Sequence, residues 1–111
     1  MTFEVRNLTP REVIEIVQRE IVDGSFSGEL VDIYEFGISD KSKAYVAVFE
    51  KYFYRVSNMI TATVVASESD YGTKVHIVSA GGSQGWLMNF DWGASSSFED
   101  EIKSCLESYI V

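Results

Sequence analysis

Apolar positions follow two patterns along this chain: helical spacing near both ends and alternation between them. Thr9-Pro10-Arg11-Glu12 opens the first helical stretch, with a Thr N-cap, Pro at the first helical position and Glu three residues past the cap. Val13, Ile14, Val17 and Ile21 follow at helical spacing, and Asp23-Gly24 supplies a stop. Ahead of this helix, Phe3 and Val5 fit either a short strand or a hydrophobic staple. The last helix is announced by Ser96 with Glu99, or Ser97 with Asp100, as a capping box. Glu99, Asp100 and Glu101 suit its positive dipole end, and Phe98, Ile102, Cys105, Leu106 and Tyr109 form its apolar stripe.

Four strand-like runs lie between the helices: Glu29–Ile38, Lys43–Val56, Met59–Ser69 and Thr73–Ala80. Their separators, Ser39-Asp40-Lys41-Ser42, Ser57-Asn58 and Asp70-Tyr71-Gly72, are short and rich in turn formers. Connections this short make sequential strands antiparallel neighbours. The expected fold is therefore α+β: a helix, a four-stranded antiparallel meander and a C-terminal helix, with both helices on one face of the sheet. Residues 1–111 form a single domain on this reading.

The turns imply a register. A two-residue turn at Ser57-Asn58 sets Phe53 opposite Ala62 and Phe49 opposite Ala66. A turn at Asp70-Tyr71 sets Val75 opposite Ala66 and Ile77 opposite Val64. Opposed residues share a face, so Tyr45, Ala47, Phe49, Phe53, Ile60, Ala62, Val64, Ala66, Val75 and Ile77 form the helix-covered core. The other face carries Val46, Val48, Glu50, Tyr52, Tyr54, Thr61, Thr63, Val65, Ser67, Lys74, His76 and Val78. That mixture is too apolar for bare solvent and too polar for a second core. It reads either as a solvated face built from strand formers or as one covered by a partner or a folded-over loop. The first strand has two settings: one directs Tyr34, Phe36 and Ile38 to the core, the other Val31 and Ile33.

From Gly81 to Ser97 the pattern lapses, and connections this long are uncommon in a compact domain. Trp86-Leu87-Met88-Asn89-Phe90 fits a short strand or a hydrophobic arm. Gly81-Gly82-Ser83-Gln84-Gly85 follows a strand but lacks the Gly-Lys-Ser/Thr ending of a phosphate-binding loop and is not a dinucleotide fingerprint. Its glycines either let the chain leave the sheet with φ > 0 or bring N–H groups to a small anion. Trp86 and Trp92 are expected to fold down as lids on the core, or else to rim a pocket with Gln84, Asn89 and Asp91 as polar anchors.

Charge narrows the partners. With 17 acidic against nine basic residues and a net charge of -8, the chain lacks the basic surface that nucleic acid or anionic membrane requires. No apolar run reaches bilayer-spanning length and no secretory signal is visible, so a cytoplasmic location is expected. Aromatics at 14% argue against disorder.

Chemistry-bearing residues are few. One histidine and one cysteine do not make the usual zinc site, and no metal or other cofactor is expected. His76 is the only side chain suited to general-base work near neutral pH; the register places it opposite Val65 with Glu50 further along the row, too far for a catalytic hydrogen bond. Cys105 falls on the buried stripe of the last helix, as a small core residue. An acid/base site would have to use carboxylates, such as Asp32 or Asp91, if buried with a partner.

Val48-Phe49-Glu50-Lys51-Tyr52-Phe53-Tyr54-Arg55-Val56-Ser57-Asn58, with Gly81–Gly85 and Phe90-Asp91-Trp92-Gly93-Ala94, resembles a family of short uncharacterised bacterial proteins carrying a domain of unknown function. That resemblance covers most of the chain and implies no activity, cofactor or catalytic residue. The outline is also similar to small helix-grip and TATA-binding-protein-like architectures; the former implies an apolar ligand between sheet and helix. The sequence is thus expected to encode a non-enzymatic protein-interaction module, homodimeric through a face containing Val48, Tyr52, Tyr54, Thr63 and His76. The alternative is a binder of a small apolar molecule, with Gln84, Trp86, Asn89, Asp91 and Trp92 at the pocket mouth.

Overall fold

The computed structural model describes residues 1–81 and 94–111, with side chains from Ser97 onward in the second stretch. β1 (Thr2–Arg6) leads into α1 (Pro10–Gln18), which continues as a π-helical turn over Arg19–Asp23. Then come β2 (Glu29–Gly37), β3 (Lys43–Phe53), β4 (Asn58–Glu68), β5 (Gly72–Gly81), α2 (Ala94–Cys105) and a 3₁₀ turn at Glu107–Tyr109.

The sheet has five antiparallel strands in the order β1-β5-β4-β3-β2, one more than the expected meander. The extra strand is β1. Pairing with β5 makes this segment a strand and not a staple: Val5 sits opposite Thr73, fully buried, and Phe3 lies opposite Val75. The chain's other end closes the outer side of this strand. Ile110 bridges to Val5, and the Val111 N–H donates to the Glu4 carbonyl.

α1 begins as its signals require. Thr9 Oγ1 accepts from the Glu12 N–H at 3.1 Å, while the Thr9 N–H donates to Glu12 Oε1 at 2.9 Å. α2 begins earlier than its serines suggest: it starts at Ala94, so Ser96 and Ser97 lie within the helix and not at its cap.

Both helices bury their stripes against one sheet face. Val13, Ile14, Val17 and Ile21 meet Phe98, Ile102 and Leu106 over Ala47, Phe49, Ile60, Ala62, Val64, Ala66, Val75 and Ile77. Small residues on β4 leave room for Phe49 and for the helices. Phe53 packs on Phe98 with ring centroids 5.6 Å apart.

The β4–β5 register agrees with expectation: Val64 faces Ile77 and Ala66 faces Val75. The β3–β4 register does not. Phe49 lies opposite Ala62 and Tyr45 opposite Ala66, because the connection is a turn over residues 54–57 and not a two-residue one. The Val56 N–H bonds to the Phe53 carbonyl and the Ser57 N–H to that of Tyr54, with Ser57 at φ 50. The slip is an even number of residues, so no side chain changes face.

Candidate functional site

The sheet face turned away from the helices is bare among the described residues, and the register builds it in rows. One row runs Thr2, His76, Val65, Val46, Tyr34; the next runs Val78, Thr63, Val48, Asp32. A third begins at Glu4 and Lys74 and ends at Ala44 and Phe36. The centre is an apolar field of valines, bounded by threonines and charged residues at its margins.

The expected interface residues are only partly brought together. Val48 and Thr63 are directly opposed, and His76 stands on the neighbouring strand. Tyr52 lies near the β3–β4 turn opposite Met59, and Tyr54 has left the strand for that turn. The two tyrosines still touch, edge to face, with centroids 4.8 Å apart.

The residues that sequence reasoning left unplaced are on β2. Beyond a register break between Leu30 and Asp32, Tyr34 and Phe36 point to the bare face, opposite Val46 and Ala44, with their rings stacked at 6.0 Å. Neither proposed setting of this strand is complete: Ile33 falls on the helix side, as one required, but Tyr34 and Phe36 do not enter the core. α1 packs mainly over β3, β4 and β5, and the π-helical turn after it packs against β2, where Leu30 meets the core; from Val31 onward the strand is largely open on both faces. Val31, Ile33, Tyr34, Phe36 and Ile38 are 55%, 45%, 62%, 37% and 57% exposed. A local signal existed in Glu35, a carboxylate at a position where the alternation asks for a core residue.

Glu35 is held by its neighbours. Tyr45 donates its hydroxyl to Glu35 Oε2 at 2.9 Å, and Lys43 Nζ lies 2.9 Å from Oε1. The Lys43 hydrogen bond, then that from Tyr45, draws the Glu35 carboxyl below its ordinary range; the same contacts raise both Lys43 and Tyr45. This trio borders a groove of about 310 Å³ between α1 and β2, lined by Arg11, Ile14, Glu15, Gln18, Ile33, Glu35 and Tyr45.

His76 is exposed, with Nδ1 2.7 Å from Thr2 Oγ1. It lies opposite Val65 as expected, but Val46 occupies the place in its row assigned to Glu50, which the register shift carries to Thr61. Asp32 is exposed and so fails the burial condition for a carboxylate acid/base site. Cys105 is half-buried and its thiol is pushed up to about 11, by burial first and then by Glu20 and Glu101. Gln84, Trp86, Asn89, Asp91 and Trp92 lie outside the described residues, as does the glycine segment beyond Gly81. Among the described residues no three His, Cys, Asp or Glu side chains converge to hold a metal ion, and no helix is long and apolar enough to cross a membrane.

No curated protein and no solved structure matches the chain. A family model does, across residues 1–110, and the chain belongs to the family of unknown function DUF6054.

Proposed function

We propose that the protein is a non-enzymatic interaction module that assembles as a homodimer through the apolar surface formed by β2 and the bare face of the sheet. One observation carries this reading: a nine-residue edge strand whose large apolar side chains are exposed on both of its faces. Contiguous apolar surface of this kind marks interaction sites, and aromatic residues are enriched at the centres of such contacts. Tyr34 and Phe36 supply the aromatic part, with Val46 and Val48 continuing it inward.

Binding of a small apolar molecule has less support from the described residues. The groove under α1 mixes Arg11, Glu15, Gln18 and Glu35 with Ile14, Ile33 and Tyr45, whereas such ligands favour apolar walls with few polar anchors, and the residues expected at a pocket mouth lie outside the described ones.

Light scattering at micromolar concentration tests the proposal. A dimer mass is expected, and a clean monomer across the accessible concentration range overturns it.

A further inference from the structure

We infer that two copies pair through the free edges of β2, antiparallel and centred on Tyr34, joining their sheets into one. This rests on the homodimer reading above and narrows its contact to the edge itself, where Tyr34 and Phe36 meet the second copy while Val46 and Val48, one strand further in, stay uncovered. The two sheet margins differ: β1 is closed on its outer side by Ile110 and Val111, whereas the outer side of β2 has no backbone partner among the described residues. An extended edge with unpaired N–H and C=O groups is a template for another strand, and proteins usually blunt one that stays free.

The backbone parity of β2 decides which groups are on offer. The Ile38 N–H donates inward to the Ser42 carbonyl at 2.8 Å. Backbone direction alternates along a strand, so Phe36, Tyr34 and Asp32 also face β3, while Ile33, Glu35 and Gly37 present N–H and C=O outward. A symmetric pairing must match these outward residues with one another, which leaves few registers.

Centring on Glu35 sets two like carboxylates directly opposite, which is unfavourable. Centring on Ile33 runs into the register break at Leu30/Asp32, and centring on Phe36 keeps only Glu35–Gly37 pairs within the strand and leaves Ile33 unmatched. Centring on Tyr34 avoids all three. Ile33 then bonds Glu35 of the second copy and Glu35 bonds its Ile33, about four backbone hydrogen bonds in all. Asp32 faces Phe36 of the second copy, so no like charges oppose. The two Tyr34 residues form the close, non-hydrogen-bonded central pair on the bare face, beside their stacked Phe36 rings. Glu35, already held by Lys43, brings no unpaired carboxylate to the contact.

Disulfide trapping reads this register directly. In a Cys105→Ser background, Tyr34→Cys should oxidise to a covalent dimer, because the central pair has Cα atoms about 4.5 Å apart. Phe36→Cys, offset from its own copy, should not. Ile33→Pro removes an outward N–H that no internal ladder bond uses, so the dimer should dissociate while the circular dichroism of the fold is kept. A dimer that traps at neither position, or equally at both, overturns the Tyr34-centred pairing and leaves the homodimer reading standing. A monomer overturns both, and so does an Ile33 or Glu35 amide protected from hydrogen exchange in a monomer, since the edge then has an occupant within the chain.

Discussion

Tyr45 and Glu35 face each other across β3 and β2, and the tyrosine hydroxyl donates to Glu35 Oε2 at 2.9 Å. The carboxylate accepts the hydrogen bond that the buried ring's hydroxyl presents at the margin of the core, beside the exposed part of β2. Ionising Tyr45 would give up the hydrogen bond it donates to Glu35, and burial and the nearby carboxylate charge oppose it further, which is why its pKa is raised above 10.0. Glu35→Ala should therefore lower the pH at which Tyr45 ionises, as read by ultraviolet titration of tyrosinate. The Glu35 side of the pair has the opposite sense. Its depressed pKa contributes stability that is fully present above the ordinary value of 4.5 and fades as pH falls through the folded value. Wild type should accordingly lose more stability on acidification than Glu35→Ala does, by a small margin because the carboxylate is exposed.

Cys105 should be a poor nucleophile in the folded chain. A thiol moved from 9.0 to about 11 carries roughly a hundredfold less thiolate at mildly alkaline pH. Alkylation by iodoacetamide should be correspondingly slow and should accelerate on adding denaturant. The raised pKa contributes stability below the unfolded value that is lost as pH rises through about 11.

The two faces of the sheet should respond differently to truncation. Phe49 is fully buried beneath both helices, and Phe49→Ala should cost about 3–5 kcal/mol in chemical denaturation. Val78 is 52% exposed on the bare face, and Val78→Ala should change stability by no more than about 0.5 kcal/mol.

Self-association should tighten with salt. Each copy carries a net charge of -8, so mutual repulsion opposes contact until ions screen it, while an apolar and backbone contact is little weakened. Sedimentation at low and high ionic strength measures the difference; a dimer that loosens as salt rises would point to an ion-pair interface.

Much of the helix-covered face was legible in the sequence, and the reason is parity. Alternation in Tyr45, Ala47 and Phe49 and in Ile60, Ala62, Val64 and Ala66 assigns faces without knowledge of the exact pairing, so the Tyr54–Ser57 turn displaced the register and spared the core. β1 was less legible because five residues hold too few alternations to separate a strand from a staple; only its distant partner β5 decides the matter. β2 was harder still. A break between Leu30 and Asp32 interrupts its period, and its exposure depends on where α1 stops, which no local pattern in Glu29–Gly37 records. The surface offered here for function was thus the least readable part of the described chain, whereas Val48 and Thr63 could be placed from alternation alone.

The pairing of β1 with β5 also sets an order of events in folding. Thr2 meets His76, and Val5 meets Thr73 and Ile110, so this strand closes the longest loops in the molecule. The β3–β4 and β4–β5 hairpins span short turns and can form as soon as their residues are available. In a chain emerging from the ribosome, β1 must wait unpaired until β5 has followed it. The expected outcome is that β1 docks last onto an assembled hairpin core, so its amides should be the last to gain protection in pulsed hydrogen exchange during refolding.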